Sequence, residues 1–388
     1  MQRRAEQSYA LAMQTTLPQK YYTDPAVFAD ELERFYCRSW VCAGRAAQIP
    51  EPGDYFLREI GKESIIIARG ADREIRAFFN VCRHRGTRIC ANAEGRFPGR
   101  IQCGYHGWTY ALDGKLAGAP HMNQQWFRME DFPLHTIRAE IWEGHIFINL
   151  DAGASTLKEQ LGNLWDKFKA WGQQELCMAA RRSYTVQANW KLLVVNYNEC
   201  LHCPIIHPLL NRITHYLSGA NDPPSEAYVG GSMNLKNGAE TMSVNGKRPR
   251  GCLPGLVGQA LDHVLYYTVY PNLFLSLHPD YVMTHTLWPR AVNQTEVICE
   301  WHFHPNEMQC PEFDASDAVE FWDTTNHEDW RVCELAQLGI QSRAYQPGPY
   351  SPLEGLPKAF DQMILGVESK EEKNSKPRIG LSGTSAED

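Results

Sequence analysis

Cysteine and histidine come together twice in this sequence, each time at a spacing that suits a metal. Cys82 and His84 are followed, after 18 intervening residues, by Cys103 and His106. The pattern is C-x-H-x18-C-x2-H, with two thiols and two imidazoles delivered by two short loops. Two occupants compete. Structural zinc accepts such a set, but its sites usually keep like ligands together as C-x2-C and H-x3–5-H. Here each loop supplies one of each. A [2Fe–2S] cluster with two cysteines on one iron and two histidines on the other needs that division. Gly86, Gly104 and Gly107 let the backbone approach bridging sulfides closely.

The second group is E-x2-H-x4-H, formed by Glu199, His202 and His207. Glu199 and His202, three apart, would share a helix face. His202 and His207 on an unbroken helix would point ~140° apart. Pro204 between them breaks such a helix, and a bend there could bring both rings to one ion. Two histidines and a carboxylate form the facial triad of non-haem Fe(II) oxygenases, with positions left open. This pattern resembles the iron segment of the Rieske non-haem iron oxygenases, which implies that Glu199 is not a ligand and that the carboxylate lies far away in the sequence. The segment from residue 314 to 334 offers Asp314, Asp317, Glu320, Asp323, Glu328, Asp329 and Glu334. The helical neighbours of Asp329 are Trp322, Thr325, Asn326, Val332, Cys333 and Ala336, none charged. That points Asp329 inward, where a carboxylate is costly unless a cation or metal meets it. Glu328, the next candidate, meets Arg331 at i+3 and reads as a surface residue; a solvated helix face is the bland alternative for both. Cys200 and Cys203 form a C-x2-C that could hold zinc, but core packing is preferred for both.

The segment VCRHRGTRI…CGYHGWTYALDGKL resembles the Rieske loop pair of the Rieske non-haem iron oxygenases. The gap is at or slightly beyond the usual family spacing, which implies a longer connecting hairpin. The run from Asn189-Trp190-Lys191 resembles the iron segment of the same family, and HEDWRVCELAQLG…SRAYQPG its final-ligand segment. The resemblance implies a Rieske [2Fe-2S] cluster on Cys82, His84, Cys103 and His106. It implies mononuclear non-haem Fe(II) on His202, His207 and Asp329. Glu199 then stands where most members carry Asp, as an inter-subunit electron-transfer bridge that hydrogen-bonds a Rieske histidine of the neighbouring chain. Glutamate there is familiar among members acting on quaternary ammonium compounds such as carnitine and betaines. The chain would be the terminal oxygenase, or alpha, component. With O2 it would hydroxylate or oxidatively N-dealkylate a small organic substrate, a quaternary amine by the Glu199 hint. The alternative is ring hydroxylation of an aromatic acid. A head-to-tail homotrimer is the expected assembly, with an added small β subunit left open.

No G-x-G-x-x-G dinucleotide signature and no plant-type ferredoxin cysteine run is present, so electrons must come from a separate NAD(P)H-dependent reductase, with or without a ferredoxin. A small electron carrier would not need the second histidine group, and a zinc-stabilised binding module would be colourless. The formal charge is −7 over 388 residues, with no basic block, which argues against nucleic acid. No apolar run is long enough to cross a membrane and the N-terminus is a poor signal peptide, so a cytoplasmic protein is expected.

These groups need elements to position them. Asp24 and Pro25 open a helix carrying Phe28, Leu32, Phe35 and Tyr36 on one stripe. Short β-rich runs follow, YFLREI, SIIIARG, IRAFFNV, RIQCGYHGWTYA and IFINL, which make a compact all-β unit. LKEQLGNLWDKFKAWGQQ reads as an amphipathic helix, RRSYTVQANWKLLVV as a strand running into a helix, and 215–258 as loop. HVLYYTVYPNLFLSL, YVMTHTLWP and TEVICEWHFHP read as long antiparallel strands, and residues 315–339 as a helix. The fold class is α+β: an all-β Rieske [2Fe-2S] domain plus a helix-grip-like antiparallel-sheet catalytic domain with flanking helices. The expected divisions are 1–40, a helix packed on the catalytic domain; 41–151, the Rieske domain; 152–367, the catalytic domain; and 368–388, a flexible tail. Substrate would lie among residues 197–208, the 215–258 loop, the helix, and rings from Tyr266, Tyr267, Tyr270, Phe274, Tyr281 and Trp288.

Overall fold

The structure is a computed structural model that describes residues 14–366 except Gln124 and Asn237. The tail expected at 368–388 lies outside the described residues. After a short helical turn at Lys20–Thr23, Asp24 caps the expected helix, accepting from the Ala26 N–H, and Pro25 opens α1 (Pro25–Glu31). The chain continues as a wider turn over Leu32–Cys37.

The all-β unit follows. Its strands are β1 (Val41–Arg45), β2 (Asp54–Ile60), β3 (Glu63–Arg69), β4 (Ile75–Phe79), β5 (Glu94–Arg96), β6 (Arg100–Gln102), β7 (Thr109–Ala111), β8 (Leu116–Gly118), β9 (Thr136–Trp142) and β10 (His145–Asn149). Seven form an antiparallel sheet in the order β1-β10-β9-β4-β3-β2-β5; β6-β7-β8 form a second. Strand alternation divides the apolar residues of β3 between two cores. Ile65 and Ile67 join Val41, Ile146 and Ile148, while Ile66 and Ala68 pack with Tyr55 and Cys90. The β6-β7-β8 meander places its loops over a third core of Phe78, Ile101, Trp108, Tyr110 and Leu112.

The second half is one antiparallel sheet in the order β11-β17-β16-β15-β14-β13-β12. Its strands are β11 (Cys177–Val186), β12 (Ala220–Asn221), β13 (Tyr228–Asn234), β14 (His263–Val269), β15 (Leu273–Leu277), β16 (Tyr281–Ala291) and β17 (Gln294–Phe303). Around it lie α2 (Leu157–Leu161), α3 (Trp190–Tyr197), α4 (Cys203–Ile206), α5 (Pro208–Ile213), α6 (Ser316–Ile340) and α7 (Gly355–Ile364).

Two expectations are corrected. The amphipathic helix expected over 157–174 is only α2, followed by short 3-10 turns. Gly162 (φ +51°) and Gly172 (φ +54°) take left-side backbone conformations that interrupt it. The 215–258 segment is not all loop, because β12 and β13 extend the sheet edge. Glycines hide that strand from a propensity reading, yet they are required there. A Cβ on Gly230 would lie 2.4 Å from the Tyr266 carbonyl oxygen, and one on Gly231 2.4 Å from that of Ala220.

The two halves are pinned by specific polar contacts. Asn272, between β14 and β15, accepts from the Cys42 N–H (2.9 Å) and donates to the Cys42 carbonyl (3.0 Å). At the N-terminus Glu31 forms a buried ion pair with Lys191 of α3 and accepts from Trp190 Nε1 (3.2 Å). Trp190 in turn packs against Phe35, Tyr36 and Phe360. These contacts fix the start of the helix that leads to Glu199, His202 and His207.

Candidate metal centres and the substrate cavity

The two loops of the first constellation have the same backbone plan. The Cys82 N–H donates to Thr87 O (2.9 Å) and the Gly86 N–H to Cys82 O (3.0 Å); the Cys103 N–H donates to Trp108 O (2.8 Å) and the Gly107 N–H to Cys103 O (3.1 Å). Gly86 and Gly107 close the loops at φ +74° and +70°, a conformation that favours glycine. Both cysteines are buried, and Cys82 Sγ lies 3.4 Å from Tyr110 Oη. His84 and His106 take the open side, Nδ1 to Nδ1 at 3.2 Å, with His84 stacked on Trp108 at 4.9 Å. Burial, with His106 and Arg85 nearby, holds the His84 pKa below its ordinary value. Two sulfurs inside and two imidazoles outside fit a cluster ligated by cysteine on one iron and histidine on the other.

The second constellation is assembled by a broken helix. α3 ends at Tyr197, and Glu199 to Leu201 follow in a non-helical turn. His202 caps α4, Pro204 sits in its first turn, and His207 stands between α4 and α5 with Pro208 opening the latter. Glu199 and His202 therefore share no helix face, contrary to the i+3 expectation. They still meet, through Glu199 Oε1 and His202 Nδ1, while Glu199 Oε2 accepts from the Leu201 N–H (2.5 Å).

Asp329 comes from α6, as expected. Its Oδ1 lies 2.9 Å from His207 Nε2 and 3.4 Å from His202 Nε2. Three donors converge, and metal bonds of ~2.1 Å at near-right angles place donors ~3 Å apart, so the set fits a mononuclear ion. Burial works against charge on His202, but Asp329 and Glu199 overcome it and push its pKa up to about 9. Burial alone would raise the Asp329 carboxyl; His202 and His207 instead hold it below the ordinary range.

Glu328 is corrected. It is not a surface partner of Arg331, since its Oε2 lies 2.7 Å from His207 Nδ1. The two cysteines are corrected as well: Cys200 and Cys203 are joined in a disulfide rather than packed as separate thiols. Cys203 Sγ lies within 4.8 Å of donor atoms of His202 and His207, but bonded to Cys200 it is not free to ligate.

A cavity opens beside these groups, lined by Glu199, His202, His207 and Asp329 on one side. Tyr197, Tyr216, Tyr266 and Trp322 supply rings, and Leu217, Met233, Leu353 and Leu356 supply apolar surface. Tyr197 is held by a stack on Phe274 (4.2 Å) and a hydrogen bond to Ser276 (2.8 Å). Tyr266 Oη is buried with no partner among the described residues. No lysine or arginine is among the described lining residues. Of the six rings expected from the strands, only Tyr266 faces the cavity; Tyr267, Tyr270, Phe274, Tyr281 and Trp288 are buried in the cores. Leu353 and Leu356, after α6, carried no sequence signal for this role.

Among the described residues no helix is long and apolar enough to cross a membrane. A family model described as the ring hydroxylating alpha subunit (catalytic domain) matches residues 174–367, and one for the Rieske [2Fe-2S] domain matches residues 39–137. The glycine betaine monooxygenase oxygenase subunit of Pseudomonas aeruginosa is 30% identical over 87% of this chain and 85% of its own. The carnitine monooxygenase oxygenase subunit of Escherichia coli K12 is 30% identical over 85% of this chain and 86% of its own. The solved quaternary ammonium Rieske monooxygenase CntA in complex with L-carnitine matches with a TM-score of 0.75 at 25% identity, over 90% of this chain and 94% of that one. Naphthalene 1,2-dioxygenase from Rhodococcus sp., at 20% identity and a TM-score of 0.73, covering 90% and 94%, shares the fold. With both domains present, two metal centres that fit its donor sets and oxygenase subunits matching most of its length, the chain belongs to the Rieske non-haem iron oxygenases as an alpha, or oxygenase, subunit.

Proposed function

We propose that this oxygenase subunit hydroxylates a small quaternary ammonium compound next to nitrogen, which leads to oxidative N-dealkylation. The observation that carries this reading is the cavity's charge balance. Glu199 and Asp329 line it beside four aromatic rings, and no lysine or arginine is among its described residues. Aromatic faces attract a desolvated trimethylammonium group. A bound ferrous ion adds two positive charges, but Asp329 and Glu199 already oppose them. An aromatic acid would bring a further carboxylate without a basic side chain to meet it, which is costly in a partly dry site. The cationic head of a betaine would face the rings, with its carboxylate at the far end of the molecule, away from Glu199 and Asp329. The relatives act, by name, on glycine betaine and carnitine.

In this reading Cys82, His84, Cys103 and His106 hold the [2Fe–2S] cluster, and His202, His207 and Asp329 hold the iron. The iron supplies O2 activation when bound. The chain's own residues do the rest: the rings orient the cation, the leucines exclude water, and Glu199 orients His202 and bridges to a neighbouring subunit's cluster. One oxygen atom enters the C–H bond and the other leaves as water, with two electrons and two protons consumed. The hydroxylated carbon then collapses to an aldehyde and a shorter amine. The electrons come from a separate NAD(P)H-dependent reductase, directly or through a ferredoxin. A homotrimer in the cytoplasm and domain divisions at 41–151 and 152–367 belong to the same reading.

Single turnover tests it. The reduced, iron-replete protein is exposed to O2 with betaines, carnitine or aromatic acids, and cluster reoxidation is followed. Faster reoxidation with a betaine-type compound, and release of an aldehyde, is expected. A response to aromatic compounds alone, with hydroxylated products, would overturn the quaternary amine reading.

A further inference from the structure

We propose that Glu328 is a positioning residue for the mononuclear iron, acting through Nδ1 of His207. The inference rests on the reading of His202, His207 and Asp329 as the iron set. Glu328 and Asp329 are consecutive on α6, so their side chains leave the helix ~100° apart. Between them they hold both nitrogens of the His207 ring: Glu328 Oε2 lies 2.7 Å from Nδ1, and Asp329 Oδ1 lies 2.9 Å from Nε2. The ring itself is buried, and its partner glutamate is 27% exposed.

Glu328 gives Nδ1 an acceptor on the side of the ring away from His202, so a ring whose Nε2 is turned to an ion shared with Asp329 still has a partner for its other nitrogen. The same contact orients the ring and raises the basicity of the coordinating nitrogen. His202 has a matching partner in Glu199, but that glutamate sits three residues away on the same turn. Glu328 comes from a different element, 121 residues from His207. The helix that delivers the third ligand thus also sets the orientation of the second.

The test uses full-length Glu328→Ala and Glu328→Gln proteins, with Glu320→Gln as a control at an exposed position of the same helix. The readouts are iron content, the rate of loss of the mononuclear iron to a ferrous chelator, and the EPR signal of its nitric oxide adduct. Iron loss ~10–100-fold faster is expected for the alanine variant, with a smaller effect for glutamine, which keeps an acceptor oxygen. The nitric oxide signal should change in shape, while the Rieske absorption and the control stay as in wild type. Wild-type rates and signal in both Glu328 variants would overturn the proposal. If the alanine variant does not fold, the near-isosteric glutamine variant decides by the same two readouts. Failure of the wild type to hold iron beyond its cluster would instead overturn the iron-site reading.

Discussion

His84 and His106 face each other through Nδ1 atoms 3.2 Å apart, on the open side of two buried cysteines. The imidazole end of the site thus lies toward the surface and the sulfur end inside. Cys103→Ser should remove the visible cluster bands and two of the three irons per chain, leaving the mononuclear iron. Iron analysis with the absorption spectrum checks this. A colourless wild-type protein holding zinc would defeat the cluster assignment.

Glu199 touches His202 with one oxygen and the Leu201 N–H with the other. Glu199→Gln keeps the side-chain shape and removes the charge. The Rieske spectrum should be unchanged, while the rate of cluster reoxidation with substrate and O2 falls by ~10-fold or more. Stopped-flow absorbance reads it directly. Unchanged turnover would end the bridging role.

Ligand spacing was legible in the chain because metal chemistry constrains residue type and interval together. Pro204 likewise announced the break that lets His202 and His207 converge. Glu328 was misread for a physical reason: counting helical neighbours sees only partners on the same helix. Arg331 at i+3 was visible that way, but His207, on another element, takes the carboxylate. The aromatic strands failed similarly. Alternation shows that residues divide between two faces, not which face is lined by cavity and which by core, so Tyr267 and Phe274 could not be told from Tyr266. The β13 strand was missed because Gly230 and Gly231 satisfy a close backbone crossing that no propensity scale records.

Lys191 and Glu31 are an ion pair with side-chain exposures of 0% and 2%. Removing one partner leaves the other charge buried and unpaired. Lys191→Met should destabilise the protein by ~3–5 kcal/mol, and adding Glu31→Leu should recover much of that loss. Urea unfolding of the two variants and wild type gives the comparison. A double variant no more stable than the single one would show that packing around Trp190, rather than charge, dominates there.

His278 is fully buried, and burial pushes its pKa down to about 3. Both of its ring nitrogens lack partners among the described residues. In the unfolded chain it takes a proton near pH 6.5, whereas in the folded chain it does not until about pH 3. Unfolding therefore takes up a proton in that window, and stability falls as the pH drops through it, by up to ~1.4 kcal/mol per pH unit. His285, pushed down to about 4, acts in the same direction over a narrower range. Asp361 opposes them: burial raises it to about 7, so its contribution weakens as the pH rises from the ordinary aspartate range to neutrality. Because His278 packs against Tyr281 and Trp322, phenylalanine can occupy its place. His278→Phe should lose less stability than wild type between pH 6.5 and 5, read as the shift in urea midpoint. Equal shifts in the two proteins would mean that His278 is protonated in the folded state.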